Sequence, residues 1–218
     1  MAQSNVKRDD IFLTTKVWRS SLDAKGVARS TAESLDRLGT DHVDLLLVHW
    51  PNDSVPMGET LKAFAELKAA GMTRHIGVSN YTPRHLNEAI ETHKADLFCN
   101  QLEYHPQLDQ SALLAQMRKH GLALVAYSPL GRGRMVKNPV LAAIGKKHGK
   151  SASQVALNWL ARQDGVATIP KASSEAHCRA NLEIFDFDLS PDDLAEIATL
   201  AGKNARVWLP PWGPSWDD

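Results

Sequence analysis

The 218 residues carry 25 basic and 25 acidic side chains, a balance that excludes a basic footprint for nucleic acid and a one-sided charge for a membrane surface. Two cysteines, Cys99 and Cys178, are too few for a disulfide framework and form no CxxC pair, as expected in a reducing cytoplasm. The start has no apolar signal-like stretch, and no run approaches the ~18 apolar residues of a membrane span, so the expectation is a soluble cytoplasmic chain, one domain over 1–218.

Short apolar runs recur along the chain at IFLTTKV (11–17), VDLLLVH (43–49), HIGVS (75–79), LFCNQLE (97–103), LALVAYS (122–128) and VATIPK (166–171). Each predicts a strand, and their near-continuous apolar character suits strands covered on both faces of a parallel sheet. The stretches between them have helical periodicity: SLDAKGVARSTAESLDRLG, ETLKAFAELKAAG, PRHLNEAIETH, DQSALLAQMRKHG, NPVLAAIGKKHG and SASQVALNWLARQDG. Thr82-Pro83 and Asn138-Pro139 place a cap before a first-turn proline, and Gly39, Gly71, Gly121 and Gly149 follow last turns. SPDDLAEI (190–197) predicts a final helix from its Ser cap, N1 proline and N3 acid.

Strict alternation of strand and helix implies a doubly wound sheet or a (β/α) barrel. The chain has no GxGxxG after a strand, so the barrel is favoured. Barrels present functional side chains at the C-terminal strand ends. Those ends read Lys16 with Trp18, His49 with Trp50, Ser79 with Asn80, Gln101 with Glu103, Tyr127 with Ser128, and Lys171. Any one of them alone is more often a solvated polar group. Six polar or aromatic ends on one face point to a site.

In this order and spacing, IFLTTKVW, LLLVHWP, GMTRHIGVSNY, CNQLEYHPQL, LVAYSPLGRG and TIPKASSEAH…ANLEIFDFDL resemble the aldo-keto reductase superfamily. The likeness is nearest to its bacterial 2,5-diketogluconate reductase type. The resemblance implies a (β/α)8 TIM-barrel fold that uses NADPH without a Rossmann domain. It also identifies DIFLTTKVW as the third barrel strand, so the expectation is an incomplete barrel of six parallel strands, with the first two βα units missing. That portion carries the aspartate and tyrosine of the family's catalytic tetrad, leaving Lys16 and His49.

In carbonyl reduction, hydride reaches the carbonyl carbon while a general acid protonates the developing alkoxide. Tyrosine, with an unperturbed pKa near 10, needs a neighbouring cation to serve at neutral pH. By resemblance Lys16 is that cation, and His49 orients the substrate oxygen. Nothing in the sequence points Tyr81 or Tyr104 at Lys16, so little turnover is expected from this chain alone.

By the same resemblance, Ser79, Asn80 and Gln101 hydrogen-bond the nicotinamide carboxamide, with Tyr127 beneath the ring. Ser128, Leu130 and Arg132 wrap the pyrophosphate. Lys171 and Ser174 hold the 2′-phosphate, and Asn181 the adenine. Trp18 and Trp50 either wall the substrate pocket or pack at the barrel top, and both readings stand. No metal is implied. Where many NADPH-specific members have an arginine six residues after the lysine of IPK, this chain has His177, and Ala172 replaces a serine. Histidine offers no fixed charge or planar fork, so NADPH is expected to lead NADH only modestly.

Six strands of an eight-stranded barrel leave two open edges. A C-shaped monomer, a dimer that self-associates through those edges, and a smaller closed barrel all remain. So do two functions: a reductase of small aldehydes or ketones, and a catalytically silent cofactor-binding or regulatory protein.

Overall fold

In the computed structural model, residues 5–202 and 205–216 are described. Among them are six strands: β1 (Thr14–Val17), β2 (Val43–Val48), β3 (Thr73–Ser79), β4 (Cys99–Glu103), β5 (Ala123–Tyr127) and β6 (Val166–Thr168). The helices are α1 (Ala24–Leu38), α2 (Met57–Ala69), α3 (Pro83–Asn87), α4 (Ser111–Lys119), α5 (Pro139–His148), α6 (Ala152–Ala161), α7 (Glu175–Leu182) and α8 (Pro191–Ala198). The strands form one sheet in the order β1-β2-β3-β4-β5-β6. That order lacks the reversal of a doubly wound sheet. No helix among the described residues is long and apolar enough to cross a membrane.

The strands lie within the expected runs but are shorter, for local reasons. At Leu13 the backbone N–H donates to the Asp44 side chain at 2.8 Å, and Leu13 O accepts from the N–H groups of Asp44 and Leu45, so the regular ladder starts at Thr14. β6 stops at Thr168 because Pro170, two residues on, has no N–H to donate. The stretch 83–93 is α-helical only to Asn87 and then widens into a π turn over Glu88–Thr92, where His93 N–H reaches Glu88 O at 3.1 Å.

Two compact units emerge, residues 1–100 with 213–218, and residues 101–212. In the first, all six residues of β2 are buried, as a strand covered on both faces requires. Val27 and Leu35 of α1 and Phe64 and Leu67 of α2 belong to its core. Asp23 caps α1 by accepting from Gly26 N–H, and Gly39 ends the helix in a left-handed turn at φ 64°. A side chain at Gly26 would place its Cβ 2.9 Å from the Ser21 backbone, so glycine is required there. In the second unit, Leu141, Ile144, Val155, Ala156 and Ile197 form the core cluster of α5, α6 and α8. Ser151 and Ser190 each close a capping box, as the sequence predicted for Ser190.

Candidate active site

In the first unit, strand register sets the site. Lys16 pairs with Leu47 and Leu47 with Gly77, so His49 and Ser79, each two residues further on, project to the same side as Lys16. Close packing requires glycine at Gly77, because a Cβ there would stand 2.9 Å from both the Leu47 side chain and the Cys99 carbonyl oxygen. His49 N–H donates to Val17 O at 3.0 Å, continuing the ladder one residue past β2. The His49 ring meets Trp18 edge-on, with centroids 4.9 Å apart. Asn80 has a left-handed backbone at φ 61°, which asparagine tolerates, and its Nδ2 donates to His49 O and Ser79 Oγ, both at 3.0 Å. Trp18 is half-exposed, whereas Trp50, Ser79 and Asn80 are buried.

Electrostatics separates the two central groups. Burial, then the charge of Lys16, holds the His49 pKa at about 4, so its imidazole is neutral at pH 7 and one ring N–H can donate. Burial also lowers the pKa of Lys16. No carboxylate pairs with Lys16 among the described residues, which leaves a partly buried cation beside a neutral histidine.

In the second unit, Gln101 is buried on β4 and Tyr127 ends β5. The loop after Tyr127 is tightly coiled: Gly131 N–H donates to Ser128 O at 2.8 Å and Gly133 N–H to Leu130 O at 2.9 Å. Ser128, Gly131, Arg132 and Gly133 all have positive φ. Left-handed Ser and Arg cost backbone energy and concentrate where chains bind ligands. The Arg132 guanidinium lies over the Trp208 ring at 6.0 Å, and Trp208 packs edge-on against Trp212.

After β6, Lys171, Ser174 and His177 are exposed and lie on or beside the first turn of α7. Ser174 caps α7 by accepting from His177 N–H at 3.2 Å. The cap, a lysine three residues before it and the first-turn N–H groups are donors of the kind that take a phosphate. Asn181 and Cys178 face a cavity of about 550 Å³ lined also by Thr168, Leu182 and Phe185. Among the described residues no cluster of His, Cys, Asp or Glu could hold a metal ion.

Sequence reading overlooked two groups. Gln154, Asn158 and Arg162 form an i, i+4, i+8 stripe on and just past α6, and all three donate to backbone carbonyls between Ala180 and Phe187. The other is His105, fully buried two residues after the strand-end Glu103 that the sequence did single out, and their spacing in LEYHP was the signal available.

The aldo/keto reductase family pattern matches residues 1–201. The chain is 38% identical over 216 residues to a glyoxal reductase of Bacillus subtilis, covering 99% of this chain and 75% of that protein. It superimposes on a protein assigned as a 2,5-diketo-D-gluconic acid reductase B with a TM-score of 0.96 and 42% identity, over 100% of this chain and 78% of the other. An aldo-keto reductase of the silkworm, Bombyx mori, complexed with NADPH is 34% identical with a TM-score of 0.88, over 94% of this chain and 68% of that one. Sheet order, motif order and these likenesses agree, and the chain belongs to the aldo/keto reductase family.

Proposed function

We propose that this chain is a nicotinamide-dependent oxidoreductase that reduces small aldehydes or ketones to alcohols, with NADPH preferred modestly over NADH. The observation that carries this reading is the shared face of Lys16 and His49, a partly buried cation beside a neutral histidine at adjacent strand ends. The names of its relatives support it, since one reduces glyoxal and another binds NADPH.

The donor sets fit such a cofactor. Ser79 and Asn80 in the first unit and Gln101 in the second each offer hydroxyl or amide groups of the kind a carboxamide needs, the left-handed 128–133 loop with Arg132 suits a pyrophosphate, and Lys171 with Ser174 suits a 2′-phosphate. When bound, the cofactor supplies the hydride. His49 donates a hydrogen bond to the substrate oxygen, which polarises the carbonyl and orients its carbon. Lys16 stabilises negative charge as the oxygen becomes an alkoxide, and Trp18 borders the His49 ring.

The alkoxide must then take up a proton to become the alcohol. Burial raises the pKa of all three tyrosines, Tyr81, Tyr104 and Tyr127, and Tyr104 is further engaged by Gln163 at 2.9 Å. None of the three is tuned as an acid for pH 7, so cofactor binding with slow aldehyde reduction is expected. The second reading, a silent cofactor-binding or regulatory protein, rests on the same observation. Self-association is supported by the exposed Ile169, Leu182 and Phe185 near β6, the last strand in the sheet order.

NADPH oxidation with a reactive aldehyde separates the readings. The chain is assayed beside Lys16→Met and His49→Ala. NADPH binding with slow turnover that falls further in both variants is expected. Fast turnover by the chain alone, lost in Lys16→Met or His49→Ala, would show that another acid serves, and no NADPH binding would defeat the proposal.

A further inference from the structure

Glu103 ends β4 and His105 follows two residues on, and both side chains are fully buried. The Glu103 carboxylate is not there to hold the sheet, because its bonds run to loops. Its Oε1 accepts from the backbone N–H of Val207 at 2.6 Å and faces His105 Nε2 at 3.1 Å. The Glu103 carbonyl is separately tied to Gln110 Nε2 at 2.9 Å. His105 in turn lies under the loop after β5, since a Cβ on Gly131 would come within 3.7 Å of His105 Cδ2. One buried pair therefore touches two segments far apart in sequence, residues 128–133 and the backbone at 206–208.

The same two segments meet a second time. Arg132, next to Gly131, stacks its guanidinium over Trp208, next to Val207. Arg206 carries a partly buried charge that acts on both Glu103 and Tyr127. Neither Glu103 Oε2 nor His105 Nδ1 has a hydrogen-bond partner among the described residues. Desolvating a carboxylate and leaving one oxygen unmatched is costly, and an apolar pair of similar volume would pack without that cost. What the apolar pair would lack is a directional, charge-assisted bond to the Val207 N–H.

We propose that Glu103 and His105 are positioning residues for cofactor binding, a buried clasp that fixes the Val207 backbone against the Gly131 loop and thereby sets Arg132 for the cofactor pyrophosphate. This inference rests on the proposed cofactor reading. The clasp acts on the pyrophosphate loop and leaves the Lys171–Ser174 phosphate site, at the start of α7, untouched.

The test uses the full chain with Glu103→Gln, Glu103→Ala and His105→Gln. Three quantities are read: hydrogen exchange at the Val207 amide, NADPH affinity by tryptophan quenching, and affinity for adenosine 2′,5′-bisphosphate, which lacks the pyrophosphate. Glutamine keeps the shape and an acceptor oxygen but not the charge, so Glu103→Gln should speed Val207 exchange and weaken NADPH about tenfold, with Glu103→Ala weaker still. The bisphosphate affinity should stay within about twofold, because a local loss at one loop leaves a distant subsite intact. A general loss of structure would weaken both ligands together and overturn the positioning role. Should Glu103→Ala not fold, Glu103→Gln and His105→Gln carry the comparison. If the unaltered chain binds NADPH and Glu103→Gln binds it equally well, the clasp idea fails while the cofactor reading stands. If the unaltered chain binds no NADPH, the cofactor reading falls and the inference with it.

Discussion

Replacing Asn158 tests how the segment from Ile184 to Phe187 is held. Its amide is fully buried, and Nδ2 donates to Ile184 O at 2.6 Å and Phe187 O at 2.9 Å. Asn158→Ala strips both carbonyls of that donor. Phe187 O keeps a long bond from Arg162 at 3.4 Å, so the larger loss falls on Ile184 O. An orphaned buried carbonyl costs about 1–3 kcal/mol and the small void somewhat more, giving a destabilisation of roughly 2–4 kcal/mol. For a chain of this size that lowers the melting temperature by roughly 5–15 °C. Asn158→Asp adds a diagnostic. Its carboxylate faces two carbonyl oxygens, so burial and repulsion raise its pKa in the folded state, and the protonated form regains one donor. Folded protein then binds the extra proton, so the variant's stability falls as pH rises from 5 to 7, while Asn158→Ala shows no such slope. Urea unfolding at pH 5, 6 and 7 measures both. A loss under about 1 kcal/mol in Asn158→Ala, with no extra pH slope in Asn158→Asp, would refute the accounting.

His49 titrates near 4 because of burial first and Lys16 second, so Lys16→Met should raise the midpoint by about one pH unit or less, read by NMR of the imidazole. Because the unfolded chain binds that proton near pH 6.5, this histidine removes stability as pH falls from about 6.5 to about 4, and Lys16→Met should narrow that window. A midpoint that does not move would mean that Lys16 does not act on the ring. His177→Arg should raise the ratio of NADPH to NADH affinity by supplying a fixed charge in the first turn of α7, measured by tryptophan quenching. An unchanged ratio would remove His177 from the site.

What the sequence made legible follows the kind of force involved. β2 was visible because six buried residues in a row leave an apolar run, and α3, α5 and α8 were visible because Thr82, Asn138 and Ser190 cap them locally. The helical character of 175–182 was missed because α7 buries no residue, so it has no apolar stripe to reveal a period. The π turn at Glu88–Thr92 was missed because five residues of wider spacing do not disturb the apolar pattern. The long-range bonds of Asn158 and Glu103 were opaque for a different reason: their partners, Ile184 and Val207, lie 26 and 104 residues away, and no local rule anticipates a bond across that distance. The polar strand ends stood out as candidates. Which of them touch a ligand is a question for the titrations above.

The two cysteines differ in a way that is useful at the bench. Cys99 is wholly buried and its thiol is pushed up to about 12, while Cys178 is exposed on α7 at the rim of the cavity beside Asn181. A maleimide dye added to the native chain should therefore find one address without any engineering, since the thiolate that reacts is withheld at Cys99. That address lies one residue after His177 and four after Ser174. The chain thus arrives with a built-in reporter position, from which a fluorophore could register a nucleotide settling on α7 separately from events at Lys16 and His49.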